Sequence, residues 1–183
     1  DVMMGAASAG ERWYRRLRLG AQQLGHVVSP DDAALVLRGL RTMSVRLERE
    51  TASALAIASW LAEREEVAHV LSPLLPGTPG HALWQRDFNG GCGLFSFVLR
   101  GGDDAARCRL VDRLDLFGIG YSWGGFESLA LPFDVEPVRS RMAWPKAGWG
   151  VEDRHAIRLS IGLEDQDDLI ADLDRGFAAL TEG

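Results

Sequence analysis

Phe117-Gly118-Ile119-Gly120-Tyr121-Ser122-Trp123-Gly124-Gly125-Phe126-Glu127-Ser128-Leu129 is an apolar run that stops in a polar, glycine-lined cluster. Residues 116–119 predict a short strand, and that strand delivers Tyr121, Ser122 and Trp123 to the end of the sheet it joins. Glycines on both sides of the three let the backbone turn tightly and approach a ligand closely. The three side chains supply two hydroxyls and an indole N–H. That inventory suits an anionic or polar small molecule. The competing reading is a glycine-rich strand end with both aromatics packed into a core.

Downstream of the cluster, residues 132–153 are rich in proline and glycine and predict an irregular loop carrying Trp144 and Trp149. Residues 156–161 alternate, with Ile157, Leu159 and Ile161 on one face and Arg158 and Ser160 on the other. Asp165 caps a last helix in which Leu169, Leu173, Phe177 and Leu180 recur at helical spacing. Upstream, Asp103 or Asp104 starts a helix that uses Leu110, Val111 and Leu114. Residues 67–71 and 93–99 read as strands, the second apolar on both faces and therefore central in its sheet. Pro73, Pro76, Gly77, Pro79 and Gly80 form the loop between them. Residues 43–64 carry the stripe Met43, Leu47, Ala54, Ala58, Leu61 of a long amphipathic helix capped by Thr42. A preceding helix starts at Ser29-Pro30-Asp31-Asp32 and is weakened at Gly39. Residues 2–8 are small and apolar, which predicts a buried strand, and residues 9–25 a helix with its arginines outward. The order of elements is that of an α/β layer, a sheet covered by helices on one side and entered by a long linking helix.

Arg158 is the charged residue that calls for explanation. A guanidinium in mid-strand, flanked by Ile157 and Leu159, must reach solvent or find an anion. One solution is an ordinary sheet-face ion pair with Asp or Glu. The other is a clamp for a ligand carboxylate, because two parallel N–H bonds fix orientation as well as charge.

Composition narrows the function classes. With 183 residues, 46% of them hydrophobic, the chain can bury a core as one domain or one and a fraction. A net charge of −6, with the arginines scattered, opposes nucleic-acid binding. No apolar run reaches a membrane span and no signal segment opens the chain, so the cytoplasm is the expected location. Cys92 and Cys108 lack a C-x-x-C spacing, and His26, His69, His81 and His155 share no ligand spacing. Neither a disulfide scaffold nor a metal site is expected.

Four stretches carry a family resemblance. Tyr121-Ser-Trp-Gly-Gly-Phe-Glu-Ser-Leu129 resembles the matching segment of the cystathionine beta-lyases, within the Cys/Met trans-sulfuration family of pyridoxal-phosphate enzymes. Arg38-Gly-Leu-Arg-Thr-Met43, His81-Ala-Leu-Trp-Gln-Arg-Asp-Phe88 with Gly93-Leu-Phe-Ser-Phe97, and Ile157-Arg-Leu-Ser-Ile-Gly-Leu-Glu-Asp165 agree with it in order. Gamma-cleaving and synthase relatives usually carry Ser-Leu-Gly-Gly where this chain has Ser122-Trp123-Gly124-Gly125, and an enzyme of that type is the alternative.

The resemblance implies the C-terminal portion of a fold-type I pyridoxal-phosphate-dependent transferase. Residues 1–41 would end the cofactor-binding large domain, and residues 42–183 would form the linking helix and small α/β domain. It further implies a carbon–sulfur lyase of methionine biosynthesis, cleaving the amino-acid thioether cystathionine to homocysteine, pyruvate and ammonia. Carried over residue by residue, Arg158 binds the substrate α-carboxylate. The Ser122 backbone and the Trp123 indole lie beside that carboxylate, and Tyr121 is a catalytic residue near the reacting side. Glu127, His81 and Asp87 match family positions without a chemical role.

A pyridoxal-phosphate enzyme needs a Schiff-base lysine. Lys146, the sole lysine, sits in Trp144-Pro145-Lys146-Ala147-Gly148, unlike the family's cofactor segment. The cofactor lysine is therefore expected upstream of Asp1, in a longer enzyme whose remainder holds most of the cofactor. The resemblance also implies a homo-oligomer, a tetramer, with sites completed across a subunit boundary. A second class of function, a non-catalytic binding or assembly module, is favoured by the lack of a suitable lysine. It is opposed by residues 2–8, which would be a strand without a sheet.

Overall fold

A computed structural model describes residues 2–101, 103–134 and 155–181, which divide into two compact units, Asp1–Val45 and Arg46–Gly183. The first unit is helical. Helix α1 (Glu11–Gln23) buries none of its side chains and leaves Trp13, Tyr14 and Leu17 exposed. Helix α2 (Pro30–Ala62) starts in this unit where the cap was expected, the Asp32 N–H donating to Ser29 Oγ at 3.0 Å.

Two expectations fail here. Residues 2–8 form no strand: they are unladdered, exposed from Met3 onward, and no strand among the described residues of this unit is there to take their N–H and C=O groups. Nor does the chain break near Gly39. Helix α2 runs unbroken for 33 residues, and Thr42 is an interior residue whose Oγ1 donates to the Gly39 carbonyl at 3.3 Å. A mid-helix glycine costs only about 1 kcal/mol against alanine, too little to end a helix packed along its later turns.

The second unit is a five-stranded sheet. Its strands are β1 (Val67–Leu71), β2 (Leu94–Leu99), β3 (Gly118–Ile119), β4 (Leu129–Asp134) and β5 (His155–Ser160), arranged in the order β1-β2-β5-β4-β3. All pairings are antiparallel except β3 with β4. Strand β1 lies where it was foreseen, β5 is offset by one residue from the expected 156–161, β3 keeps only the last two of the four expected residues, and β2 occupies the interior position that its doubly apolar pattern requires. A register shift between Val67 and His69 puts both Val67 and Val70 in the core, because a bulge adds one residue to the alternation.

Strand β4 was not foreseen, since Pro132 argued for loop. Strand β3 pairs only with Leu129 and Ala130, so Pro132, opposite Ile157, lies past the end of that ladder, at an edge where a missing N–H is tolerated. The rest of the expected loop, with Trp144, Lys146 and Trp149, lies outside the described residues. Also unforeseen is the short helix α3 (His81–Asp87), which follows Gly80 at φ 90°.

Within this unit the later turns of α2 and two further helices cover one face of the sheet. Ala54, Ile57, Ala58 and Leu61 of α2 and Leu110 and Val111 of α4 (Asp104–Asp112) pack with Leu169, Leu173 and Phe177 of α5 (Gln166–Ala178). Against them lie Phe95, Phe97, Leu99, Ile157, Leu159 and Ile161, in one cluster. Asp103 and Asp165 cap α4 and α5 with their carboxylates. The opposite face has only a small apolar group, Val98 and Ala156 with Leu71 and Phe133, and it is the face that bears Arg158 and Ser160.

Candidate functional site

Strand β5 is the middle strand, so Arg158 has a fixed neighbour on each side: Ser96 of β2 and Leu131 of β4. From there the guanidinium reaches the loop that follows β3. Its Nη2 donates to the carbonyls of Gly120 (3.2 Å), Tyr121 (2.6 Å) and Ser122 (3.3 Å). Its central carbon lies 5.7 Å from the Tyr121 ring centroid and 5.8 Å from that of Trp123, within cation–π range. Four of the expected site residues, Tyr121, Ser122, Trp123 and Arg158, therefore come together although 35 positions separate Trp123 from Arg158 in the chain.

Both rings stand in the open, Tyr121 75% exposed and Trp123 63%, so the reading that buries them in a core is wrong. The ion-pair reading of Arg158 also finds no support among the described residues. Arg64, Arg107 and Arg175 each meet a carboxylate, whereas Arg158 meets carbonyl oxygens and aromatic faces.

The loop is tied to the far end of β5. Gly124, at φ +74°, donates its N–H to Ser160 Oγ at 3.3 Å, and the Leu163 N–H donates to the Phe126 carbonyl at 2.8 Å. A side chain at Gly162 would strike the Phe126 carbonyl at 2.3 Å, so loop and strand end meet backbone to backbone. Sequence reasoning gave no role to Ser160, which makes the first of these ties, nor to Ser128 and Glu164, which meet at the end of the same loop, the Ser128 N–H and hydroxyl donating to the Glu164 carboxylate at 2.7 Å. The one available signal was a serine interrupting the apolar run around Leu129.

The remaining candidates stand apart. His81 Nδ1 donates to the Pro73 carbonyl at 2.8 Å, and Asp87 takes a side-on fork from Arg86, with Nε at 2.7 Å and Nη2 at 2.8 Å. Both are local ties of α3, and Glu127 is exposed. A cleft of about 450 Å³ beside α3, lined by Leu83, Trp84, Phe88, Cys92 and Leu94 among others, contains none of the expected site residues. Among the described residues no cluster of three His, Cys, Asp or Glu side chains could hold a metal ion. No described helix is long and apolar enough to cross a membrane.

Comparison with known proteins gives the family. The family model for Cys/Met metabolism PLP-dependent enzymes matches residues 1–178. Cystathionine beta-lyase of Escherichia coli (strain K12) is 45% identical over 98% of this chain and 45% of its own length. Cystathionine gamma-lyase of Mus musculus is 38% identical over 98% of this chain and 45% of its own. Among solved structures, cystathionine gamma synthase of Xanthomonas oryzae pv. oryzae, in complex with aminoacrylate and cysteine, superposes with a TM-score of 0.78 at 37% identity. That superposition covers 94% of this chain and 44% of the other, so the chain spans less than half the length of the relatives it matches. A match along nearly all of its length, reached independently of the loop-and-arginine geometry, means that the chain belongs to the Cys/Met metabolism family of pyridoxal-phosphate-dependent enzymes.

Proposed function

We propose that this chain supplies the substrate-carboxylate clamp of a carbon–sulfur lyase that cleaves cystathionine by β-elimination to homocysteine, pyruvate and ammonia, a step of methionine biosynthesis. The observation that carries the reading is Arg158, a guanidinium set by the middle strand, framed by two exposed rings and meeting no carboxylate among the described residues. Trp123 favours the β-cleaving branch, as does 45% identity to a beta-lyase against 38% to a gamma-lyase. Homo-oligomeric, tetrameric assembly and a cytoplasmic location belong to the same reading and rest on resemblance alone.

The described residues fit the substrate end of such a site. They include no lysine, and no residue of this chain is assigned to hold the cofactor. Pyridoxal phosphate, where it is bound, supplies an electron sink for the charge left when the substrate α-proton is removed. The work of this chain is orientation. Arg158 binds the α-carboxylate, and the Ser122 backbone and Trp123 indole N–H complete its contacts. The Tyr121 hydroxyl stands toward the reacting side. A side-on fork uses Nε and Nη2, as Arg86 does toward Asp87, so carboxylate binding draws Arg158 Nη2 away from the Tyr121 carbonyl. Clamp and loop are thereby coupled.

The test is Arg158→Ala in the full-length enzyme. Loss of a charge-assisted fork worth roughly 1.5–3 kcal/mol, more if the anion is left unpaired, lowers kcat/KM for cystathionine about ten- to several-hundred-fold. Arg158→Lys recovers part of it, keeping the charge and losing the fork. Cofactor absorbance stays unchanged, since the clamp touches substrate. A kcat/KM within about twofold of wild type in Arg158→Ala would make Arg158 a structural residue and remove the site.

A further inference from the structure

We propose that Glu164 is the positioning residue of the loop formed by residues 120–128, and that through this loop it sets the distance between Trp123 and the Arg158 guanidinium. Its carboxylate takes both donors of one residue. The Ser128 N–H donates to Oε1 and the Ser128 hydroxyl to Oε2, each at 2.7 Å. Ser128 Oγ in turn accepts the Gly162 N–H at 2.9 Å, and the Ser128 carbonyl accepts the Gly118 N–H at 3.0 Å. Every polar group of this fully buried serine is thus used.

The arrangement works as a strap because of where its ends are. Glu164 immediately precedes Asp165, the N-cap of α5, so one end of the strap is rooted in a helix packed on the core. Ser128 closes the loop just before β4 begins at Leu129, so the other end is the loop's own hinge. Arg158 lies on β5, the strand that runs into residues 161–164. The guanidinium and the strap therefore hang from one short piece of chain. Bonds to a carboxylate are roughly twice as strong as neutral ones, which suits Glu164 to hold a loop whose other side chains are exposed. The effect of this strap on substrate binding rests on the clamp reading of Arg158; the strap itself does not.

Two measurements on the full-length protein separate them: amide hydrogen exchange without substrate, and steady-state kinetics with cystathionine. Glu164→Ala frees the loop, raising exchange at Gly124 and Ser128 by about tenfold or more while the β2 amides keep their protection. It raises KM about tenfold with kcat within about threefold, because the carboxylate site is misplaced and the chemistry is untouched. Isosteric Glu164→Gln keeps one acceptor oxygen and gives intermediate values of both, and Ser128→Ala repeats the loop release with the carboxylate intact. Unchanged loop exchange in Glu164→Ala and Glu164→Gln overturns the strap, as does a kinetic loss confined to kcat. Loop release in Glu164→Ala beside an unaffected Arg158→Ala keeps the strap and removes the clamp reading instead.

Discussion

An arginine takes its role from its surroundings, and this molecule offers three cases. Arg64 lies 4.8 Å over the Trp60 ring and 4.3 Å over the Phe177 ring and pairs with Asp174 at 2.6 Å, so its charge and its planar face are both spent on packing. Arg107 is almost fully buried and bridges Asp104 and Asp134, joining α4 to β4. Arg158 shares the two-ring setting of Arg64 but meets carbonyl oxygens and no carboxylate among the described residues, which is why a ligand role is proposed for it. A buried acid makes the complementary case. Glu50 is 1% exposed and its Oε1 has no hydrogen-bond partner among the described residues. Burial pushes its carboxyl above the ordinary value of 4.5, and Arg46 one turn earlier only partly offsets this. A raised native pKa means that the folded chain holds a proton the unfolded chain has lost. The group's contribution is therefore full below pH 4.5 and is lost as pH rises through the native value. Glu50→Gln cannot ionise and escapes that loss. Its melting temperature, compared with wild type, gains as pH rises above 4.5 and levels off once the native value is passed; a gap that stays constant from about pH 4 to pH 8 would show that folding leaves the Glu50 carboxyl unshifted.

At the scale of elements, Gly162 is the most constrained position at the site. An added Cβ would lie 2.3 Å from the Phe126 carbonyl oxygen and 2.6 Å from the Glu127 carbonyl carbon, both backbone atoms with no rotamer to yield. Gly162→Ala therefore displaces the loop, and a steric shift of this kind costs typically 1–3 kcal/mol. Urea unfolding reads the stability loss, and the shift should also weaken substrate binding; an unperturbed midpoint with native KM would contradict the close approach. Elements with a strong pattern were legible in the sequence: the alternation of β5, the caps of α2, α4 and α5, and the later half of the long helix's stripe, Ala54, Ala58 and Leu61, whereas Met43 at its start is exposed. What was misread depended on partners. Residues 2–8 have the composition of a strand and no ladder, while β4 has a proline and a ladder supplied by β5. The site was legible in its residue types, because a glycine-lined Tyr-Ser-Trp and a mid-strand arginine are unusual locally. Its strap was not, because Ser128 and Glu164 are ordinary residues until the fold brings them within 2.7 Å.

At the scale of the whole second unit, the site and the core lie on opposite faces of one sheet, which makes stability and substrate binding separable by mutation. Phe177 is the residue to use. Its ring is 2% exposed, sits 5.9 Å from both Trp60 and Phe97, and lies under the Arg64 guanidinium, so it ties α5 to α2 and to the strand beside β5. Phe177→Ala removes a buried aromatic from a layer whose neighbours are themselves packed, and substitutions of this kind cost about 3–5 kcal/mol. Arg158 points the other way from β5, since alternate side chains of a strand take opposite faces and Ile157 and Leu159 are the ones facing the helices. The loop it meets is strapped at residues 162–164, outside the contacts of Phe177 that hold the helix layer. Urea unfolding of Phe177→Ala should therefore show the full stability loss, while kcat/KM for cystathionine, measured far below the transition, stays within about twofold of wild type. A tenfold fall in kcat/KM in protein that is still fully folded would mean that the helix layer shapes the site through the sheet, and the separation of the two faces would have to be given up.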